Sequence, residues 1–170
     1  MKITIRTITK DDLPLIWELA YNGDKTWWLY DSPYFNDKKY SKKEFLSEYV
    51  IKDSRCVICL DEKIIGWITH YFEDGDLQKW LEIGIDIFDS KLWNKGIGYK
   101  AMQIYIPNLF EKYKDIRRVG FSTWSGNMAM MKLGEKLGFK KEAEIRQVRY
   151  YNNEYYDSIR YGILKDEWYK

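Results

Sequence analysis

Apolar positions along this chain change period several times, and each change marks an element boundary. Residues 2–8 alternate between polar and apolar, the two-residue period of a half-buried strand. Thr9-Lys10-Asp11-Asp12 then offers a helix start, and Leu13, Ile16, Trp17 and Ala20 form a helical stripe that Asn22-Gly23 stops. Residues 24–40 are loop-like and aromatic. Ser41-Lys42-Lys43-Glu44 has the spacing of a capping box ahead of Phe45, Leu46 and Tyr49, which predicts a short second helix. The middle reads as three strands, 54–60, 64–72 and 80–88, separated by Asp61-Glu62-Lys63 and by Glu73-Asp74-Gly75-Asp76. A long helical pattern follows from Lys95 to about Tyr113, with Pro107 expected to kink or shorten it. Residues 117–124 read as a strand and 128–137 as a helix closed by Gly138. Residues 140–151 and 155–164 form a closing hairpin around Asn152-Asn153-Glu154.

Strand–helix–strand units favour parallel pairing, whereas a meander and a hairpin favour antiparallel pairing. The expected fold is therefore α/β in the mixed, α+β sense. Its centre is a mixed, mostly antiparallel sheet of six to seven strands, flanked by about four helices. No repeat or low-complexity linker divides the 170 residues, so 1–170 is expected to form one domain.

Charge changes this picture little. A net formal charge of +2 argues against nucleic-acid binding driven by bulk charge. No long uncharged apolar run predicts a membrane span, and the N-terminus lacks the apolar region of a signal peptide, so a cytoplasmic protein is expected. Cys56 and Cys59 make a formal C-x-x-C, but residues three apart on a strand point to opposite faces, so two buried reduced thiols are expected. His70 is the only histidine, and no metal site is expected.

Most of the chemistry lies in Trp93-Asn94-Lys95-Gly96-Ile97-Gly98-Tyr99. A strand that empties through a glycine turn into a helix exposes N–H groups with no intrahelical partner, where the helix dipole adds partial positive charge. Such a turn suits a phosphate or pyrophosphate, and glycine lets the ligand approach the backbone. On the two glycines alone, an ordinary strand-to-helix turn would look the same.

Three motifs in this order resemble the GNAT superfamily of acetyl-CoA-dependent N-acetyltransferases. The family's Gln/Arg-x-x-Gly-x-Gly/Ala is similar to Trp93 through Gly98, with Trp93 in first place as in the Rim-type, ribosomal-protein-acetyltransferase-like branch. Asn127 through Gly138-Phe139 resembles Asn-x-x-Ala-x-x-Leu-x-x-x-x-Gly-Phe, with Leu133 in place and Met130 where Ala is usual. The ending, with Asp157, Tyr161, Glu167 and Trp168, is similar to the Asp-x-x-x-Tyr-x-x-x-x-x-Glu-Trp close of that branch.

The resemblance implies direct acetyl transfer from acetyl-CoA to a primary amine, on a small molecule or a protein N-terminus, in a ternary complex. It also allows a homodimer. Backbone groups of Asn94, Lys95, Gly96, Ile97, Gly98 and Tyr99 would hold the pyrophosphate. Ile85, Asp86 and Ile87 would serve the pantetheine arm and the acetyl carbonyl. Asn127 would touch that arm or cap the following helix. Glu82 is the first candidate for the catalytic base, if burial beside Trp80 raises its pKa. Otherwise it faces solvent or pairs with a cross-strand Lys. Asp86 and His70 are lesser candidates.

The acceptor pocket would be walled by Trp27, Trp28, Tyr30, Asp31, Tyr34 and Phe35, aromatic rings and an acidic group that suit a cation. The Trp pair could equally be a lid on the core. Gly134 stands where the family often has a Tyr that protonates the departing thiolate. Close packing is the expected reason, and the acid would then be Tyr150, Tyr151 or water. The competing reading is a catalytically silent CoA-binding module. A nucleotide-binding α/β domain would need a parallel sheet, against the meander and hairpin.

Overall fold

The computed structural model describes residues 2–35 and 37–170. Met1, ahead of the first strand, and Asn36, inside the aromatic loop, lie outside the described residues. Seven strands form one mixed sheet in the order β1-β2-β3-β4-β5-β7-β6. They are β1 (Ile3–Thr7), β2 (Arg55–Leu60), β3 (Lys63–Phe72), β4 (Leu81–Ile87), β5 (Arg118–Trp124), β6 (Lys140–Tyr151) and β7 (Glu154–Leu164). The helices are α1 (Leu13–Ala20), α2 (Lys42–Glu48), α3 (Ile97–Lys112), α4 (Met128–Lys136) and α5 (Lys165–Trp168). The fold matches the expected class, with α5 as a fifth helix that the apolar periodicity does not announce. β4 and β5 pair in parallel at Leu81↔Val119 and Glu82↔Gly120. β1–β2, β2–β3, β5–β7 and β6–β7 are antiparallel.

Local chemistry sets the boundaries. Ser41 and Glu44 form the reciprocal capping box at the start of α2. Asp61 and Glu62, at φ +45° and +70°, turn β2 into β3; Asn152 and Asn153, at φ +49° and +62°, turn β6 into β7. Both are two-residue loops with two left-handed positions, matching the strand twist. Gly138, at φ +87°, ends α4. Its N–H reaches Glu135 O and that of Phe139 reaches Gly134 O, the paired bonds of a Schellman cap. Pro107 does not shorten α3, which runs on to Lys112. The carbonyl that loses its donor there belongs to Gln103, which is exposed to water.

The chain resolves into two compact units, residues 1–69 with 85–101 and residues 70–84 with 102–170. The first has an aromatic-rich core of Leu13, Ile16, Ala20, Trp27, Phe45, Val57, Cys59, Ile64, Trp67 and Phe88. One irregularity shapes it. Ile58 pairs with Gly66 but Cys59 pairs with Ile64, so Ile65 is an extra residue on β3. This bulge lets Ile64 and Trp67 share the core-facing side. β2 itself stays regular, so Cys56 and Cys59 point apart; both are buried and neither forms a disulfide.

In the second unit, Leu81, Val119, Phe121, Ile159, Tyr161 and Ile163 are buried along the strands, and Met102, Ile106, Leu109 and Phe110 along α3. Gly134 is buried where a Cβ would overlap the Phe121 ring, which is itself stacked on Tyr161 at 5.1 Å. Close packing is therefore the reason for glycine there.

His70 is 4% exposed, with Nδ1 2.6 Å from the Tyr105 hydroxyl and Nε2 2.9 Å from that of Tyr113. Burial, with the Lys112 charge adding to it, pushes its pKa down to about 4. The unfolded chain takes a proton on this residue near pH 6.5. The stabilisation from neutral His70 is thus complete above that pH and is lost as pH falls toward 4. Urea denaturation of wild type and His70→Gln should show their stability difference narrowing between pH 6.5 and 4, by up to roughly 1.4 kcal/mol per pH unit. A difference independent of pH would refute the neutral assignment.

Candidate functional site

The turn from β4 into α3 is built by short-range bonds. Asp89 accepts the Lys91 N–H at 2.8 Å, and Leu92 and Trp93 N–H groups close onto Asp89 and Ser90 carbonyls. Asn94 (φ +58°) and Gly96 (φ +77°) are then both left-handed. Alternation of this kind turns successive N–H groups to one side and makes an anion-binding concavity. The Lys100 N–H bonds back to Gly96 O, so the N–H groups of Ile97, Gly98 and Tyr99 lie in the first turn of a 16-residue helix. Lys95 is exposed beside them. Trp93 ties the turn to β4. Its indole N–H donates to Ile87 O at 2.8 Å, and its ring meets Tyr30 edge-on at 5.2 Å. This bracing role could be found in the sequence only through the odd residue at the motif's first place.

β4 carries two acidic side chains, and their surroundings differ sharply. Glu82 is completely buried. Oε1 accepts the Trp80 indole N–H at 2.7 Å and an Arg118 guanidinium N–H at 2.9 Å, and Oε2 accepts the Ser122 hydroxyl at 3.2 Å. Arg118 also pairs with Glu142 at 2.6 Å, and Arg118 and Arg160 guanidinium groups lie 5.8 and 5.2 Å from the Trp80 ring centre. The expected burial beside Trp80 is present, but the partner is an arginine on β5 rather than a lysine. Both oxygens of Glu82 are occupied and none of it is exposed. This geometry ties β4 to β5 through Glu82 and leaves neither of its oxygens open to solvent.

Two glycines make room for that ion chain. Gly120 and Gly162 face each other across β5 and β7. A Cβ at Gly120 would overlap the Arg118 guanidinium, and one at Gly162 the Glu142 carboxylate. Arg118 and its glycine bed escape sequence reasoning, because only the strand register brings them together.

Asp86 sits in a different setting. Oδ2 accepts the Trp67 indole N–H at 2.6 Å, and Oδ1 takes no protein donor among the described residues. Partial burial and then the nearby Asp31 charge push its pKa up to about 8, against the lowering effect of the Trp67 bond and of Arg55. Asp31 is also raised, by the protein crowded around it and then by Asp37, and Arg55 opposes this. The Arg55 guanidinium lies over Trp67 at 4.6 Å. The backbone at Asp86 is pressed against Gly66, where a Cβ would overlap the Asp86 carbonyl oxygen and lie 3.1 Å from Ile87 Cα.

The aromatic group divides. Trp27 is a core residue, 6% exposed, its indole N–H bonded to Ala20 O at 3.1 Å and its ring packed among Tyr21, Trp67 and Phe88. Of the two places expected for it, pocket wall or lid on the core, Trp27 takes a core position, because a short 3₁₀ turn at Thr26–Leu29 swings it inward. Trp28 is half-buried with the Lys39 ammonium over it at 4.2 Å. Tyr30, Asp31 and Phe35 are exposed and Tyr34 half-buried, with the Tyr34 and Phe35 rings 4.8 Å apart. Asn127 caps α4, accepting the Met130 N–H at 3.1 Å. Tyr150 and Tyr151 lie at the end of β6; Tyr150 packs on Tyr155 and Tyr151 on Trp124.

The closing motif is structural in each of its polar members. Asp157 accepts the Gln147 N–H, Tyr161 donates to Glu135, and Glu167 takes Lys140 and the Leu164 N–H. Among the described residues no cluster of ligand-type side chains could hold a metal ion, and no helix is long and apolar enough to cross a membrane.

Comparison with known proteins identifies the class of protein to which this fold belongs. The model of the GNAT acetyltransferase domain matches residues 2–140. The chain belongs to the GNAT family and is an N-acetyltransferase. It is similar to the SPbeta prophage-derived uncharacterized N-acetyltransferase YokL of Bacillus subtilis (strain 168), at 26% identity over 97% of this chain and 91% of that one. Its fold is similar to that of a GNAT-family acetyltransferase from Bacillus anthracis, with a TM-score of 0.78 at 21% identity over 98% of this chain and 97% of that one. A spermidine N-acetyltransferase from Vibrio cholerae, solved with CoA and spermine, gives 0.77 at 19% identity over 99% and 98%.

Proposed function

We propose that this N-acetyltransferase moves the acetyl group of acetyl-CoA directly to a primary amine, on a small molecule or a protein N-terminus, without a covalent acyl-enzyme. The observation that carries the reading is the pair of left-handed residues, Asn94 and Gly96, that opens α3. That backbone suits a pyrophosphate, with N–H groups of Asn94 through Tyr99 as donors and Lys95 as a counter-charge. Ile85, Asp86 and Ile87 would flank the pantetheine arm, although the Ile87 carbonyl is already taken by Trp93. Asn127 would support the arm from its capping position. Acetyl-CoA supplies an activated acetyl group on a good leaving thiol. The protein's own part is to bind it, orient the amine and take up a proton. The Trp93 turn and the Asp157-to-Trp168 close support a place in the Rim-type branch, and two buried cysteines outside any disulfide fit a reducing, cytoplasmic setting.

Gly98→Asp puts bulk and negative charge in the first turn of α3. It should weaken CoA binding by roughly 100-fold, about 2.7 kcal/mol. Calorimetric titration with CoA, and thermal shift with acetyl-CoA, CoA and ATP side by side, check this. Wild type should respond to both CoA forms and not to ATP. Unchanged CoA affinity in the variant would remove the turn from the site.

A further inference from the structure

We propose that Asp86, held by the Trp67 indole with its other oxygen open, receives the proton of the acceptor amine, and that Asp31 holds the incoming ammonium beside it. This rests on the amine acetylation proposed above and names the residues that handle its proton. A protonated amine cannot attack a carbonyl, so one N–H proton must leave before the N–C bond forms. Glu82 is unsuited, with both oxygens bonded and no exposed surface. Asp86 lies four residues further along the same strand, hence on the same face of β4.

Asp31 lies near enough for its charge to act on Asp86. Tyr30, its neighbour, packs on Trp93, and Trp93 bonds Ile87 O, next to Asp86. The rings tied to this stretch of β4, Trp67 on Asp86 and Trp93 with Tyr30 beside Ile87, are of the kind that suits an alkylammonium. The charged and titratable groups that act on the pair are Arg55 from β2, Tyr21 from the end of α1, and Asp37, which bears on Asp31. Two carboxylates sharing one site resist being charged together, and an arriving cation relieves that repulsion.

The step balances. The ammonium gives one proton to the Asp86 carboxylate. The neutral nitrogen bonds to the acetyl carbon, the C–S bond breaks, and its electron pair leaves on sulfur. The second N–H proton goes to that thiolate, giving the thiol, and Asp86 returns its proton to water.

The test combines Asp86→Asn and Asp31→Asn. Asparagine keeps an oxygen for the Trp67 bond, so Asp86→Asn should fold. From about pH 4 to pH 8 native Asp86 holds a proton that the unfolded chain has released, so wild-type stability declines through that window, and the variant should lack the decline. Infrared titration of the substrate-free protein should show a carboxyl group ionising near pH 8. That signal should vanish in Asp86→Asn and move to lower pH in Asp31→Asn. With a primary amine as acceptor, wild-type kcat/KM should rise with pH to a plateau. Asp86→Asn should lower kcat roughly 100-fold. Asp31→Asn should shift the limb downward and raise the KM for amine. An Asp86→Asn enzyme with unaltered turnover and pH limb would overturn the assignment while leaving amine acetylation standing. The infrared signal without turnover on any amine would overturn the functional reading instead, and the proton step with it.

Discussion

Methionine in place of Arg118 is expected to destabilise the protein by about 3–5 kcal/mol, since it leaves an uncompensated charge in the interior. Arg118 gives Glu82 its only cationic partner among the described residues, and Glu82 has no exposed surface through which water could replace it. Glu142, at the other end of the chain, is 38% exposed by side chain and can be rehydrated cheaply. The loss therefore falls on Glu82. Methionine also gives up the stacking of Arg118 on Trp80. Urea denaturation at pH 7 measures the effect. Combining Arg118→Met with Glu82→Gln removes the stranded charge and keeps an oxygen for the Trp80 indole. The double variant should be more stable than Arg118→Met alone. A double variant equally or more damaged would contradict the charge argument and point to packing.

Gly66→Ala should be nearly as damaging to the fold and far more so to turnover. The Cβ would overlap the Asp86 carbonyl oxygen, and its other near neighbours, Asp86 C and Ile87 Cα at 3.1 Å, are backbone too. No flexible side chain can swing away, so β3 and β4 must part at Gly66. Overpacking of this kind costs about 3 kcal/mol at the upper end of its usual range. The displaced segment carries Asp86 and the Ile87 carbonyl that anchors Trp93, so kcat should fall roughly 100-fold, as for a misplacement of about 1 Å. Denaturation midpoints and single-turnover rates on the same preparation separate the two effects. An alanine variant with wild-type values in both would show that the strands tolerate a side chain there.

What could be read from the sequence was local. Ser41 with Glu44, Asn152 with Asn153, and Gly138 each act over a few residues, and each sits where the pattern placed it. The order of strands and helices, and hence the mixed sheet, followed from these signals. Choices that depend on register or depth did not. Glu82 and Asp86 share one face of β4, and strand period treats them alike; their difference comes from Arg118 and Ser122 on β5 for one and Trp67 on β3 for the other. Trp27 and Trp28 are adjacent in sequence, and the 3₁₀ turn decides which is buried. Pro107 does not shorten α3, because its lost bond falls at Gln103, which is exposed.

The ion chain over Gly120 and Gly162 also bears on how this chain can change by descent. Glu82, Arg118 and Glu142 need the two glycines beneath them, and the glycines are empty space without the charges above. A single exchange at Glu82, Arg118, Gly120 or Gly162 meets a barrier, whereas exposed Glu142 is freer to change, and a joint exchange to an apolar, well-filled set need not meet one. The four inner positions should therefore behave as an epistatic block, inherited or lost together, and a one-at-a-time mutational scan would score each of them as intolerant of change while missing the alternative that they could reach at once.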